Sequence, residues 1–287
     1  MELALQTVAN AWVATFLYAV VAVGLALIFG VMRTANFAHG EFFMVGAYTV
    51  WLLYARGDWP FPAAVLAAVG VVAGIGLITE RTIFRPLRGN VVAGLIASLG
   101  LVFILQVIVG RIWGLGMSKP VPPAFPGSLE ILGASVGWQR FIMIPAGITM
   151  LGLLWLFLHR FKLGRALRAT AQDPEAAALQ GISIDRMALL AMGIAAAFAG
   201  VAGALMASIY PVTPYMGHTV ILMTFIIVIV GGTGSLEGAF LAAILFGFLH
   251  TIVTTVLDST IANIIVTVVM AVVLAIRPKG LLGREEA

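Results

Sequence analysis

Charged residues are scarce in this chain. Of its 287 residues, 62% are hydrophobic and 10% are charged, whereas a soluble domain carries about 25% charged residues. Its mean hydropathy is +1.10. A fold in water could not cover its surface with this composition, so we expect lipid to surround most of the chain. The apolar runs lack two-residue alternation and have the length of helices that cross a bilayer, which excludes a membrane barrel.

Other absences narrow the function. The sequence has no cysteine, which excludes disulfides and thiolate metal sites. It has no G-x-x-x-x-G-K-[ST] phosphate loop, because the glycine-rich stretch at 231–238 lacks the lysine. No spacing of His, Asp and Glu indicates a metal centre or a catalytic triad, so we predict that the chain is not an enzyme. The first ten residues lack a basic region, so a cleaved signal peptide is not expected. A net charge of +4 gives no reason to expect nucleic acid as a partner.

The apolar runs predict an all-α polytopic membrane protein. We expect a single transmembrane domain over 1–287 with eight or nine transmembrane or broken helices. The predicted spans are 5–31, 41–55, 61–83, 91–110, 141–159, 186–208, 219–231, 238–257 and 260–276. The seventh span is too short to cross a bilayer as a straight helix. Proline lacks a backbone N–H and disrupts helices, so ends or breaks are expected at Pro60, Pro145, Pro211 and Pro214.

The distribution of basic residues predicts the orientation. Lys and Arg favour the cytoplasmic side of a membrane protein. With the N-terminus outside and the C-terminus in the cytoplasm, twelve of the sixteen basic residues fall inside. The four outside are Arg56, Arg111, Lys119 and Arg140. In this orientation 111–140 is an extracellular loop, which we expect to be ordered and lid-like; the alternative is a plain connector with interfacial Trp113 and Trp138.

A polar cluster, "NFAHGEF" at 36–42, stands between two apolar runs. An ionisable group at membrane depth is unfavourable by roughly 2.5–3.5 kcal/mol on insertion scales and tends to face a bundle interior or a cavity. Gly40 permits a helix break or a close helix approach. We therefore expect Asn36, His39 and Glu41 to shape an inner vestibule or gate of a translocation path. The alternative is a helix start at the inner interface, where Asn36 and Glu41 satisfy backbone N–H groups.

A second polar break occurs at 211–225, where Pro214 and His218 precede an apolar run. The predicted topology puts this break on the opposite face of the membrane from 36–42. Interrupted segments in two halves at opposite faces are typical of an inverted repeat, whose interface holds the pathway. The pattern is therefore consistent with an inverted repeat, and Pro214 and His218 join the candidate path or gate.

The inner loop 160–184 contains a predicted short helix. Basic residues come first, among them Arg165 and Arg168. Asp173 before Pro174 is typical of a helix start, with Asp as N-cap and Pro at the first helical position. The helix is expected to stop at Gly181. Because charges flank it, this helix cannot insert in lipid, so it needs a protein partner or stays solvated.

Three stretches in chain order resemble branched-chain amino-acid permeases of ATP-binding-cassette (ABC) importers. The stretch "GLALIFGVMRTANFAHGEFFMVGAY" at 24–48 is similar to their N-terminal signature, and "IVGGTGSLEGAFLAAILFG" at 229–247 is similar to their late glycine-rich segment. In the inner loop, the E-A-A-x-x-x-G coupling motif of ABC importer permeases is matched by Glu175, Ala176, Ala177 and Gly181. The alternative for this last match alone is a chance alanine-rich turn.

The resemblance implies a multi-pass permease subunit of a bacterial inner membrane that forms the path for branched-chain amino acids. It implies three kinds of protein partner: a second permease subunit (a paralogue or a second copy), two cytoplasmic ATPase subunits, and a periplasmic or surface substrate-binding protein. The ATPases would dock on the segment that holds the coupling motif, with Arg165, Arg168 and Asp173. ATP and Mg would be bound by those partners, and no cofactor by this chain.

Alternative functions remain open from the residues. A permease of the same family for urea, short amides or other amino acids would share these features, because the binding protein should set most of the specificity. An ion-coupled secondary transporter or a channel would need an ion site or a charge relay within the membrane. Apart from Glu41 and Glu237, the predicted spans hold almost no acidic residues, which disfavours that second class.

Overall fold

The computed structural model describes residues 2–114, 116–131 and 134–283. Leu115, Leu132 and Gly133 of the predicted outer loop lie outside this part of the chain, as does the basic residue Arg284. Eleven α-helices occur in the described part: α1 (Glu2–Met32), α2 (His39–Val50), α3 (Phe61–Thr79), α4 (Val91–Trp113), α5 (Trp138–Arg160), α6 (Lys162–Gln172), α7 (Pro174–Leu179), α8 (Ile184–Met206), α9 (Met216–Gly231), α10 (Leu236–Val256) and α11 (Ser259–Ile276). The π-helical turns Trp51–Ala55 and Glu80–Phe84 extend α2 and α3. An antiparallel hairpin of β1 (Ser128–Ile131) and β2 (Ala134–Gly137) lies between α4 and α5.

The helix lengths confirm an all-α polytopic membrane protein. Among the described residues, seven helices are long and apolar enough to cross a membrane, namely α1, α3 with its π-helical turn, α4, α5, α8, α10 and α11. The apolar helix α9 has 16 residues and α2 has 12, so neither crosses as a straight α-helix. For α9 this was predicted, whereas 41–55 was expected to form a span.

The bundle has two distinct ends. α5 runs from the hairpin to α6, so the end that carries β1 and β2 (the hairpin end) lies opposite the end that carries α6 and α7 (the α6–α7 end). Arg140 donates to Asn10 of α1, which puts the N-terminal part of α1 at the hairpin end. At the other end, Leu281 N donates to the carbonyl oxygen of Val230 at the close of α9. The two termini therefore lie at opposite ends, as the predicted topology requires.

One proline expectation was wrong. Pro145 neither ends nor breaks a helix, because α5 continues through it from Trp138 to Arg160. The helix starts about two turns before the proline, so residue 145 loses one backbone hydrogen bond while the turns on both sides persist. The other expectations hold, since Pro60 precedes α3, and Pro211 and Pro214 lie in the link between α8 and α9.

Glycines bring α2 and α8 into backbone contact. A Cβ on Gly203 would lie 1.9 Å from the carbonyl oxygen of Phe43, and a Cβ on Gly46 would lie 2.3 Å from the carbonyl oxygen of Gly200. Small residues allow such close approach between membrane helices, where van der Waals packing replaces the hydrophobic effect as the main attraction. α8 is therefore held against α2 with no room for side chains between the two backbones at these points.

The second half of the bundle repeats the packing of the first half in the opposite orientation. α1 packs on α10, while α3 packs on α8. Likewise α2 contacts α3, and α9 contacts α10. α1 runs toward the α6–α7 end and α8 runs away from it, with α5, α6 and α7 inserted between the halves. If α1, α2 and α3 are equivalent to α8, α9 and α10, each of these contacts has its counterpart in the other half. An inverted repeat produces such a pattern.

Gly203→Ala should lower thermal stability far more than Gly70→Ala. Both glycines are helical, but a Cβ at position 70 has nothing within 4 Å. Overpacking destabilises by about 1–3 kcal/mol, whereas replacing a helical glycine by alanine in open space stabilises by roughly 0.5–1 kcal/mol. The melting temperature of each purified variant measures the difference, and equal melting temperatures would contradict the close α2–α8 contact.

Candidate functional site

Two helices begin inside the bundle. After α1 ends at Met32, the link 33–38 turns back alongside it and α2 begins at His39. His39 Nε2 lies 3.1 Å from the carbonyl oxygen of Val21, which is about 16 Å along α1 from its end. From the hairpin end, the link 207–215 leads to the start of α9 at Met216. Each link thus enters the bundle before its helix begins.

The first turns of α2 and α9 touch at two glycines. A Cβ on Gly40 would lie 2.5 Å from the carbonyl oxygen of Gly217, and a Cβ on Gly217 would lie 2.5 Å from the carbonyl oxygen of Gly40. The expectation that 36–42 and 211–225 lie on opposite faces is therefore wrong. The two links come from opposite ends of the bundle but meet in its interior, because each one folds back inward instead of stopping at the membrane surface.

A polar cluster joins three helices beside this contact: Glu41 of α2, Gln106 of α4 and His218 of α9. Gln106 Nε2 donates to Glu41 Oε1 over 2.9 Å and also contacts His218 Nε2. His218 Nε2 is 3.9 Å from Glu41 Oε1. The Glu41 side chain is 1% exposed, and its Oε2 has no hydrogen-bond partner among the described residues. Two helix N-termini, whose dipoles favour negative charge, flank this carboxylate.

His218 opens the cluster toward the surface of the chain. Its side chain is 52% exposed, whereas Glu41 and Gln106 are buried. Tyr215 and Leu222, three residues before and four residues after it, are exposed as well. His218 and Leu222 lie one turn apart on the same face of α9, and Tyr215 is the residue before the helix begins.

Asn36 and His39 are placed differently from Glu41. Asn36 is buried, and its Oδ1 accepts a hydrogen bond from Ala38 N at 3.1 Å while Nδ2 donates to Met192 Sδ at 3.7 Å. His39 is fully buried against α1. The alternative, in which side chains satisfy backbone N–H groups at a helix start, holds for Asn36. It does not hold for Glu41, because the Glu41 carboxylate binds Gln106. Pro214 is buried in the link that precedes α9.

Gln106 was not among the sequence-predicted site residues. In the structure it donates a hydrogen bond from α4 to Glu41 of α2. Nothing in the sequence indicated that its partner would be Glu41. Its position in an apolar helix could have marked Gln106 as a site residue, because Gln106 and Ser98 are the strongly polar side chains of α4 before Arg111.

The predicted cap and stop of the inner helix are both confirmed. Asp173 Oδ1 accepts hydrogen bonds from the backbone N of Glu175 and of Ala176, both at 2.9 Å. Gly181 follows α7 with φ of 80°, and a Cβ there would have nothing within 4 Å. On α7, Ala177 is buried while Ala176 and Glu175 are exposed.

The helix α6 was not predicted, although Arg165 and Arg168 both lie on it. Its buried positions Gly164, Leu167 and Thr170 recur every three residues among exposed or half-buried ones. That spacing was a readable helix signal. α6 packs on α5 and α1, so the inner loop 160–184 is a folded two-helix unit rather than a basic loop with one short helix.

An ion-pair network fastens the start of α8 to α3. Arg88 pairs with the buried Glu80 of the π-helical turn and with Asp185 in the first turn of α8. Arg85 pairs with Asp185 as well. Because Asp185 follows Gly181 by four residues, this network lies directly after α7 in the chain.

A multi-pass helical bundle in which two broken helices begin beside a buried carboxylate is the architecture of a membrane transport protein. The chain belongs to the family described as "Branched-chain amino acid transport system / permease component", whose profile matches residues 7–275.

Individual relatives agree. The chain is 31% identical to the high-affinity branched-chain amino acid transport system permease protein LivH of Escherichia coli K12, over 94% of this chain and 92% of that protein. It is 32% identical to the corresponding protein BraD of Pseudomonas aeruginosa, over 98% of this chain and 96% of BraD. It is also 31% identical to the permease protein LivM of Escherichia coli K12, over 80% of this chain and 60% of LivM.

Gln106→Leu should destabilise the protein by about 1.5–3 kcal/mol, because it leaves the buried Glu41 carboxylate without its donor. The double variant Glu41→Leu/Gln106→Leu should be more stable than Gln106→Leu alone, since both polar partners are then removed together. A double-mutant cycle of melting temperatures on the purified protein measures this coupling. Strictly additive effects would contradict the Glu41–Gln106 interaction.

Proposed function

We propose that this chain is a transmembrane permease subunit of an ABC importer and forms part of the translocation path for branched-chain amino acids. The observation that carries the proposal is the buried Glu41 carboxylate at two converging helix starts, with the exposed His218 beside it. Family membership supports the transport role. The substrate class rests on the relatives, whose names assign them to branched-chain amino acid transport.

The proposed path runs along the exposed face of α9 that holds His218 and Leu222, with the exposed Tyr215 at its start. A titratable side chain exposed at depth in the bundle is unfavourable against acyl chains. Water in a path, or a second permease subunit, must therefore cover His218. The chain resembles both LivH and LivM of the same named transport system, which supports a paralogue rather than a second copy as that subunit.

Energy for transport would come from two cytoplasmic ATPase subunits. The sequence lacks the phosphate loop that nucleotide hydrolysis needs, so ATP and Mg would bind to those partners, and this chain would be neither an enzyme nor a cofactor-binding protein. The proposed docking surface is α7 with its exposed Glu175, Ala176 and Leu179, the last of which is 87% exposed. An exposed leucine on a charged segment suits a protein contact better than lipid.

The charge distribution supports a bacterial inner membrane location with the α6–α7 end in the cytoplasm. The described basic residues at that end are Arg33, Arg81, Arg85, Arg88, Arg160, Lys162, Arg165, Arg168, Arg186, Arg277 and Lys279. The hairpin end then faces outward, where a substrate-binding protein would deliver the amino acid. There Lys119 pairs with Val212 in both backbone directions, which ties the chain after α4 to the link before α9.

His218→Cys should react with a small, polar, membrane-impermeant thiol reagent, because the path contains water. The controls use the cysteine-free background. Leu66→Cys is exposed on α3 (Leu66 is 72% exposed) but faces lipid, and His39→Cys is buried, so both should stay unlabelled in the isolated chain. Labelling is read by mass spectrometry. Equal protection of positions 218 and 66 would show that α9 faces lipid and would reject the path.

Gly181→Val should abolish uptake of labelled leucine by the reconstituted importer while leaving the permease folded. Valine at a φ of 80° is strained by roughly 1–2 kcal/mol, which alters the angle between α7 and α8. Gly89→Val is the matched control, since Gly89 also has a positive φ of 90° and open space around a Cβ. Equal uptake by the two variants would assign the coupling role to another segment.

A further inference from the structure

The residues after α11 fold back onto the end of α9. Directly after α11, Gly280 N donates to the carbonyl oxygen of Arg277 over 2.9 Å. This is the hydrogen bond of a four-residue β-turn, in which Pro278 and Gly280 occupy the positions that favour proline and glycine. Gly280 has a φ of 80°. The turn brings the chain back to α9, and we call residues 277–283 the C-terminal strap.

The C-terminal strap supplies backbone donors to the end of α9. The last carbonyl groups of a helix have no partner within that helix. Leu281 N donates to the carbonyl oxygen of Val230 over 2.7 Å, and Leu282 N donates to that of Gly231 over 3.1 Å. The two carbonyl groups before these accept from Gly232 N. All of the last four carbonyl groups of α9 are therefore satisfied, two of them by the strap.

Glycines let the strap and the link after α9 touch through their backbones. A Cβ on Gly280 would lie 2.7 Å from Gly232 N, and a Cβ on Gly232 would lie 2.5 Å from Gly283 N. On the other side of the link, a Cβ on Gly234 would lie 3.2 Å from Gly30 Cα of α1. A glycine-rich link has great conformational freedom unless contacts restrict it. The strap and α1 therefore fix a link that would otherwise let the end of α9 move.

The helix α9 is short and stiff and lies between two irregular links. It has 16 residues, which span about 24 Å. His218 near its start and Val230 near its end are about 18 Å apart along the axis. Because a helix moves as a rigid element, a displacement of its end also displaces its start. That start holds the close contact between Gly217 and Gly40.

We propose that the C-terminal strap is a positioning device for α9, which sets the place of His218 and of the α2–α9 contact. The strap follows the residues 7–275 that match the family profile. The alternative is a simple cap, whose carbonyl partners water could replace without moving the helix. The role of the strap in transport rests on the proposed function, whereas its hold on α9 rests on the backbone contacts.

Two variants of the purified full-length permease disturb the contact from opposite sides. Gly280→Ala and Gly232→Ala each place a Cβ where the partner backbone lies. Gly89→Ala is the matched control, since Gly89 has a φ of 90° and open space around a Cβ, so it has the backbone strain without the contact. Hydrogen–deuterium exchange of a peptide that covers 277–283 reports on the strap amides. We expect protection in the parent and in the control, and exchange about tenfold faster or more in both strap variants.

The position of α9 is measured by double electron–electron resonance in the cysteine-free background. One spin label is placed at Leu222 on α9 and the other at Leu66 on α3, both of which are exposed. In both strap variants the distance between these labels should shift by about 1–2 Å or broaden, as for helix shifts in protein switches. In Gly89→Ala it should equal that of the parent. A second pair, at Leu66 and at the exposed Leu153 of α5, should keep its distance in every variant.

The consequence for transport is measured as uptake of labelled leucine by the reconstituted importer. Gly280→Ala should lower uptake severalfold, and Gly89→Ala should leave it as in the parent. A displaced α9 with uptake equal to that of the parent would overturn the role of the strap in transport. If the parent importer takes up no leucine while α9 still shifts in the strap variants, the proposed function fails and the positioning role stands.

The remaining outcomes decide between a positioning device and a simple cap. Rapid exchange of the strap amides in the parent would overturn the contact itself. Faster exchange in both strap variants with an unchanged distance between positions 222 and 66 would overturn the positioning role and leave a cap. A changed distance between positions 66 and 153 in both strap variants would show that the whole bundle is disturbed, and would overturn a role confined to α9.

Discussion

Every backbone polar group inside a bilayer needs a partner from the protein itself, and this requirement governs how two helices can begin at the centre of the bundle. In the link 33–38, side chains provide such partners. Asn36 Oδ1 accepts a hydrogen bond from Ala38 N, and Ser98 Oγ accepts one from Phe37 N. The link 207–215 meets the requirement with backbone pairing between Val212 and Lys119. Asn36 and Ala38 of the first link and Val212 and Pro214 of the second link are buried in the bundle.

Both helix starts lie inside the bundle, and a glycine of each helix forms the contact where α2 and α9 meet. The Gly40–Gly217 contact leaves no space for a side chain at either glycine, so the neighbouring positions 41 and 218 carry the polar groups. These positions are equivalent under the exchange of halves, yet one is a buried carboxylate and the other an exposed imidazole. The inverted architecture is thus symmetric in backbone and asymmetric in polarity. Such asymmetry is what a directional path would use, because the two access routes to the cluster differ.

The sequence predicted features that depend on local chemistry and missed those that depend on tertiary placement. Asp173, Pro174 and Gly181 specify a helix start and stop through their own backbone preferences, and the structure has both. Span positions followed from apolar length. The depth of Glu41 did not, because nothing between Arg33 and His39 shows that the chain folds back along α1. The pairing of Glu41 with Gln106 joins positions 65 residues apart, and the continuity of α5 through Pro145 depends on where that helix begins.

A continuous set of contacts joins the start of α8, next to α7, to the buried carboxylate. Arg85 and Arg88 hold Asp185 at the start of α8 and, through Glu80, fasten it to α3. Further along α8, Gly200 and Gly203 meet the backbone of α2. Packed backbones without intervening side chains have little freedom to slide, so a tilt of α8 must displace α2 or open a void. The first turn of α2 carries Glu41. The same turn contacts α9 through the glycine pair. If an ATPase docks on α7 as proposed, a movement that it imposes on α8 would reach both helix starts through these contacts.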